Sequence, residues 1–141
     1  MAVRKAEAVW NNGLQDGNGR IKTGSGAVDG AYSFSSRFED GGGTNPEELL
    51  GAAHAACFSM ALAAGLGKAG FSPKRVATTA AVHLTKDESG LAISRIDLTC
   101  EAEVPGIDAA AFAEHAEATK KSCIVSRALA AVEMRLEARL V

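Results

Sequence analysis

Residues 45–62 read Asn45-Pro46-Glu47-Glu48-Leu49-Leu50-Gly51-Ala52-Ala53-His54-Ala55-Ala56-Cys57-Phe58-Ser59-Met60-Ala61-Leu62, and this stretch decides the fold. Asn45 is a good N-cap, Pro46 suits the first helical position, and Glu48 at N3 completes a capping-box spacing. Glu47 at N2 lies where the positive end of the helix dipole favours an acid. The pattern predicts a helix running to about Lys68 and stopped by Gly70. At 1.5 Å per residue it is about 34 Å long, enough to cross a small domain. Leu49–Gly67 holds no Asp, Glu, Lys or Arg, so it passes the length test for a membrane span. Its Ala and Gly content, with His54 and Ser59, favours a helix covered on most sides within a soluble core.

Around this helix the chain reads as short strands. Ala6–Trp10 opens the first, and Asn11-Asn12-Gly13 and Asp16-Gly17-Asn18-Gly19 are turn clusters. Tyr32, Phe34 and Phe38 alternate with Ser33, Ser35 and Arg37, the period of a half-buried strand with Arg37 turned from its aromatic face. Beyond the helix, Val76, Thr78, Ala80, Val82 and Leu84 share one parity. Leu91 and Ile93 are out of phase with Ile96, Leu98, Cys100, Ala102 and Val104, which predicts a β-bulge near Ser94-Arg95. Asp108 caps a second helix with Ala109, Phe112, Ala113 and Ala116 inward, Ser122 caps a short third, and Val132–Leu140 alternates as a last strand. Strands cluster rather than alternate with helices, so the class is α+β with mostly antiparallel sheet.

The chain has 141 residues, 47% apolar and 23% charged, which fits one globular domain over residues 1–141. With 28 alanines and only 5% aromatics, a lone domain is short of core, which favours an oligomer. Fifteen Lys and Arg stand against 17 Asp and Glu, for a net charge of -2 with no basic run. That removes the usual electrostatic footprint of a nucleic-acid or acidic-membrane partner. Three cysteines, and a Met1–Lys5 start without the apolar core of an export signal, point to a reducing, cytoplasmic setting.

Cys100 is in phase with the apolar side of its strand and reads as core. Cys123 falls at N1 if Ser122 is the cap, where the helix dipole favours a thiolate and Lys120, Lys121 and Arg127 act in the same direction. Cys57 lies mid-helix, and an unassisted thiol has a pKa of about 8.5, so a reactive Cys57 needs a cation or a base. His54, three residues earlier on the same face, is one candidate. As nucleophile and base the two would suit a hydrolase or acyl-transfer enzyme; otherwise His54 bonds a backbone carbonyl. Arg37 is the other candidate, since a guanidinium stays charged and holds anions. His54, Cys57 and Cys123 contain a single close ligand pair, too few for a zinc motif. No P-loop, dinucleotide fingerprint or nucleophile elbow supports a nucleotide cofactor or serine hydrolysis. A non-catalytic dimeric binding protein with an apolar pocket remains as a third class.

The stretch 45–62 resembles the signature helix of the OsmC/Ohr superfamily of thiol peroxidases. Phe34–Phe38 with Glu39, Val104-Pro105-Gly106-Ile107-Asp108 and Cys123-Ile124-Val125-Ser126 follow in the family's order and spacing, so the likeness covers nearly the whole chain. Ala-Ala-His-Ala-Ala-Cys is closer to the OsmC than to the Ohr branch, and Ile124 stands where many members have Pro. The resemblance implies an OsmC-like α+β fold, a strongly curved sheet around a long central helix in an intertwined homodimer. It implies a peroxidase for organic hydroperoxides, with hydrogen peroxide a further substrate. Cys57 would be the peroxidatic thiolate and Cys123 the resolving thiol that closes a disulfide with it. Arg37 would stabilise the thiolate and Glu47 would orient Arg37. The implied reductant is a dithiol such as a lipoyl group, with no bound cofactor. Glu47 and Cys57 are ten positions apart, about 15 Å along one helix. The expected site is therefore composite, Arg37 and Glu47 from one chain meeting Cys57 and Cys123 of the other.

Overall fold

In a computed structural model that describes residues 1–141, the chain divides into two compact units, Met1–Leu49 and Leu50–Val141. The first holds three strands, β1 (Ala6–Asn11), β2 (Asn18–Thr23) and β3 (Asp29–Tyr32), paired antiparallel in that order. Gly19 sits under Tyr32, whose ring atom Cε1 would lie 2.3 Å from a Cβ there, so the ring closes over bare backbone. After β3 the predicted strand gives way to a short helix, α1 (Phe34–Phe38).

The reason is local. The amide of Ser36 donates to Ser33 Oγ at 3.0 Å and the amide of Ser33 donates to Ser36 Oγ at 2.8 Å, a reciprocal capping box. Five residues of Phe/Ser alternation cannot outweigh two capped backbone amides. The turn also changes where Arg37 points: its guanidinium lies over the Phe38 ring, 5.2 Å from the centroid, rather than away from the aromatics.

The long helix α2 (Pro46–Lys68) forms with the expected bounds, and Gly70 at φ 90° ends it. The Glu48 amide donates to Asn45 Oδ1 at 2.8 Å, but the Glu48 carboxylate takes the Thr44 hydroxyl, 2.8 Å away, so the capping box is only half made. Gly51, Phe58, Leu62 and Leu66 form a buried stripe at helical spacing. Gly51 lets the helix approach Ala80 and Val82; a Cβ would stand 3.3 Å from the Ala80 carbonyl oxygen.

The helix is not covered on most sides within the chain. Ala52, Ala53, Ala56, Ala64 and Met60, 75% exposed, line an uncovered apolar face. The fully buried large side chains Phe58, Leu62 and Leu66 share one stripe, so one chain supplies packing for one face. By length and composition α2 could span a membrane.

The second unit carries β4 (Arg75–Asp87), β5 (Gly90–Glu103) and β6 (Glu133–Leu140) in the order β4-β5-β6. β4 and β5 are antiparallel, and the register jumps between His83 and Leu84 because Ser94 is the extra residue opposite them, the expected bulge. β6 runs parallel to β5. Parallel strands need a long crossover, here α3 (Ala109–Ser122) and α4 (Ile124–Ala128). Asp108 caps α3 by accepting from the Ala111 amide. The inner face of α3 is Phe112, Ala116 and Thr119, while the expected Ala109 and Ala113 are exposed. Ile96, Leu98, Cys100 and Ala102 of β5 pack with Phe58, Leu62, Leu66, Phe112 and Ala116 in one core.

Candidate active site

In the first unit α1 presents Arg37 to Glu47 in the first turn of α2. Arg37 Nη2 donates to Glu47 Oε1 at 2.8 Å, and Nε donates to both carboxylate oxygens at 3.2 Å. This fork-like contact is directional as well as charged. Ser36 Oγ donates to the Thr44 carbonyl at 2.8 Å and Asn45 Nδ2 donates to the Ser36 carbonyl at 3.0 Å, which ties α1 to the start of α2. Glu47 is 8% exposed. A buried carboxylate without its guanidinium would be costly, so the pair is held as a unit.

In the second unit the two thiols expected to react lie together, Cys57 half-buried and Cys123 2% exposed. Ser122 is the last residue of α3, and Cys123 itself is the N-cap of α4 rather than its N1 residue. Its sulfur accepts from the Ser126 amide at 3.4 Å and lies 3.3 Å from Ser126 Oγ. Burial pushes the Cys123 thiol up. The bonds from the Ser126 hydroxyl and amide, the Cys57 thiol and the Val125 amide outweigh that and hold it below the ordinary thiol value. Cys100 behaves as core: burial pushes its thiol up, and a Thr78 bond only partly opposes.

His54 does not bond a backbone carbonyl, nor does it pair with Cys57. It is fully buried, with Nε2 2.7 Å from Ser126 Oγ and Nδ1 without a partner. Burial lowers its pKa, so the ring is neutral at pH 7. An unfolded chain protonates this His below about pH 6.5, where the folded one resists. The associated stability is present above that pH and is lost below it. The unfolding temperature should therefore fall from pH 7 to pH 5, and His54→Gln should flatten that fall.

A family model described as OsmC-like protein matches residues 39–137. The chain belongs to the OsmC family. It is 48% identical over 138 residues to Peroxiredoxin OsmC of Escherichia coli (strain K12), covering 97% of this chain and 96% of the relative. A protein of that name in Shigella flexneri matches to the same extent. Among solved structures, the organic hydroperoxide resistance protein OhrB of Bacillus subtilis aligns with a TM-score of 0.72 and 26% identity, over 96% of this chain and 98% of that one. An OsmC-like protein from Mycoplasma pneumoniae aligns at a TM-score of 0.76 and 15% identity, over 99% and 98%, a likeness of fold. The expected OsmC-like α+β class is thereby met, with the strands arranged as two three-stranded sheets.

In this OsmC chain Ile124 takes the N1 position of α4 and is 77% exposed. N1 suits proline because its amide lacks a helical partner in any case. With Ile there the helix starts directly after Cys123, whose sulfur caps it by accepting from the Ser126 amide. Ser126 was absent from the sequence-derived site. Its signal was the Cys-x-x-Ser spacing, which places a hydroxyl and an amide at N3 above a capping sulfur.

Proposed function

We propose that this chain is a cysteine peroxidase that reduces organic hydroperoxides, with hydrogen peroxide a further substrate, in a reducing, cytoplasmic compartment. The contact between the Cys57 and Cys123 thiols carries the proposal. Cys57 is the more open of the two, so its sulfur meets substrate. As thiolate it attacks the terminal peroxide oxygen; the O–O bond breaks, an alcohol leaves, and Cys57 becomes a sulfenic acid. Cys123 then attacks that sulfur, forming the disulfide and releasing water. A dithiol such as a lipoyl group takes up the disulfide and returns both thiols, becoming a disulfide itself. No bound cofactor is needed for these steps.

To attack, Cys57 must first shed its proton, since the thiolate is the nucleophile. Arg37 is our candidate for the charge that holds the resulting thiolate, oriented by Glu47 on its Nε and Nη2 edge. Glu47 and Cys57 share α2 ten residues apart, about 15 Å. We therefore take the site as composite in a homodimer, Arg37 and Glu47 of one protomer serving Cys57 and Cys123 of its partner. The uncovered apolar face of α2 supports a second copy, since burying it stabilises association. On this reading residues 1–141 act as one OsmC-like domain. Treating the reduced protein with one equivalent of an organic hydroperoxide should remove two of its three free thiols. Peptide mass spectrometry should then find a Cys57–Cys123 disulfide; three surviving thiols would instead indicate a non-catalytic binding protein.

A further inference from the structure

Behind Cys123 lies a chain of polar groups that the peroxidase steps above leave unused. His54 Nε2 stands 2.7 Å from Ser126 Oγ, which stands 3.3 Å from Cys123 Sγ, and all three residues are buried. His54 Nδ1 meets no partner. A ring proton on Nδ1 would be a buried N–H with no acceptor, the costlier orphan. Placed on Nε2, the proton leaves only a bare lone pair at Nδ1, and Nε2 then donates to Ser126 Oγ. The serine hydroxyl, its lone pair engaged, is turned to donate to the Cys123 sulfur beside the Ser126 amide. No charged side chain adds to these bonds at Cys123, so donor direction carries the effect.

We propose that His54 is a positioning residue that aims the Ser126 hydroxyl at Cys123, and that Ser126 thereby sets the rate at which Cys123 closes the disulfide on oxidised Cys57. This rests on Cys123 being the resolving thiol. In closure the Cys123 thiolate forms the S–S bond, the S–O bond of the sulfenic acid breaks, and the departing hydroxide is protonated to water. The sulfenic sulfur is reduced and the Cys123 sulfur oxidised, so two donors on that sulfur favour its attacking, deprotonated form over the thiol.

The test oxidises Cys57 with one equivalent of hydroperoxide and follows sulfenic acid and disulfide separately in wild type, Ser126→Ala, His54→Phe and His54→Gln. Gln can place an amide N–H near Nε2 and donate to Ser126; Phe cannot. Closure should slow by about tenfold or more in Ser126→Ala and His54→Phe, with sulfenic acid accumulating, as expected when a hydrogen bond to a charged group is lost. His54→Gln should restore it. The Cys123 thiolate, titrated by ultraviolet absorbance with Cys57→Ser and Cys100→Ala in the background, should form at higher pH in the two slow variants and not with Gln. A merely structural His54 would not produce that titration pattern. Closure at the wild-type rate in Ser126→Ala, or His54→Gln no faster than His54→Phe, would overturn the proposal. If His54→Phe does not fold, Ser126→Ala and His54→Gln still decide it. A wild-type protein that forms no Cys57–Cys123 disulfide would instead sink the resolving role of Cys123, an outcome visible before any variant is compared.

Discussion

Cys57→Ser should lower hydroperoxide reduction by at least about a thousandfold, in keeping with nucleophile removals that reach about a millionfold elsewhere. A serine hydroxyl is not ionised near neutral pH and cannot rest as a sulfenic acid, so the replacement removes both the attack and the intermediate. Cys123→Ser separates the steps. Its Cys57 remains half-buried and reactive, so one equivalent of hydroperoxide should still be consumed. No disulfide can follow, and turnover should stop with sulfenic acid at Cys57 that a small thiol or dimedone traps. Cys100→Ser serves as the contrast. Cys100 is fully buried in β5 and its thiol is pushed up by burial, so that change should act on stability and leave both steps running. Full activity in Cys57→Ser would remove the assignment.

The core placement of Cys100 was legible in the chain, and the physical reason is its parity. Cys100 shares its parity with Ile96 and Leu98, and a period of two places all three on one face of a strand whatever the strand pairs with. The bulge at Ser94 was legible for the same reason, because one inserted residue reverses the parity. Arg37 was misplaced because Phe34–Phe38 is short enough to fit either period. The deciding bonds are those of Ser33 and Ser36, a capping pair with Ser at N3 in place of the usual Glu or Gln. The direction of β6 was not written in its alternation, which is the same for parallel and antiparallel neighbours; the helical stretch between β5 and β6 held that information instead. His54 is the clearest limit. Spacing put it on the face of Cys57, yet its partner is Ser126, 72 residues away on α4. Only the folded packing of α2 against α4 creates that contact.

Mixing two inactive variants should restore activity. Arg37→Ala should cost about a hundredfold or more, the scale of losing one preorganised charge at a reacting anion, and Cys57→Ser should be inactive as above. In a twofold dimer each site is repeated by symmetry. If Arg37 of one protomer serves Cys57 of its partner, an Arg37→Ala/Cys57→Ser heterodimer holds one complete site and one doubly damaged one. Such a heterodimer, purified through two different tags, should recover about half the wild-type activity, because one of its two symmetry-related sites is intact. If Arg37 instead serves the Cys57 of its own chain, every site in the heterodimer carries one lesion, and no recovery occurs. The Arg37–Glu47 pair makes the experiment sharper. Glu47→Gln in the chain that still supplies Arg37 should reduce the recovered activity, since its carboxylate binds Nε and Nη2 of that guanidinium. The same substitution in the chain that supplies Cys57 should leave the recovery unchanged. An effect confined to one chain cannot come from a general loss of stability, which would fall on the dimer whichever protomer carried the change.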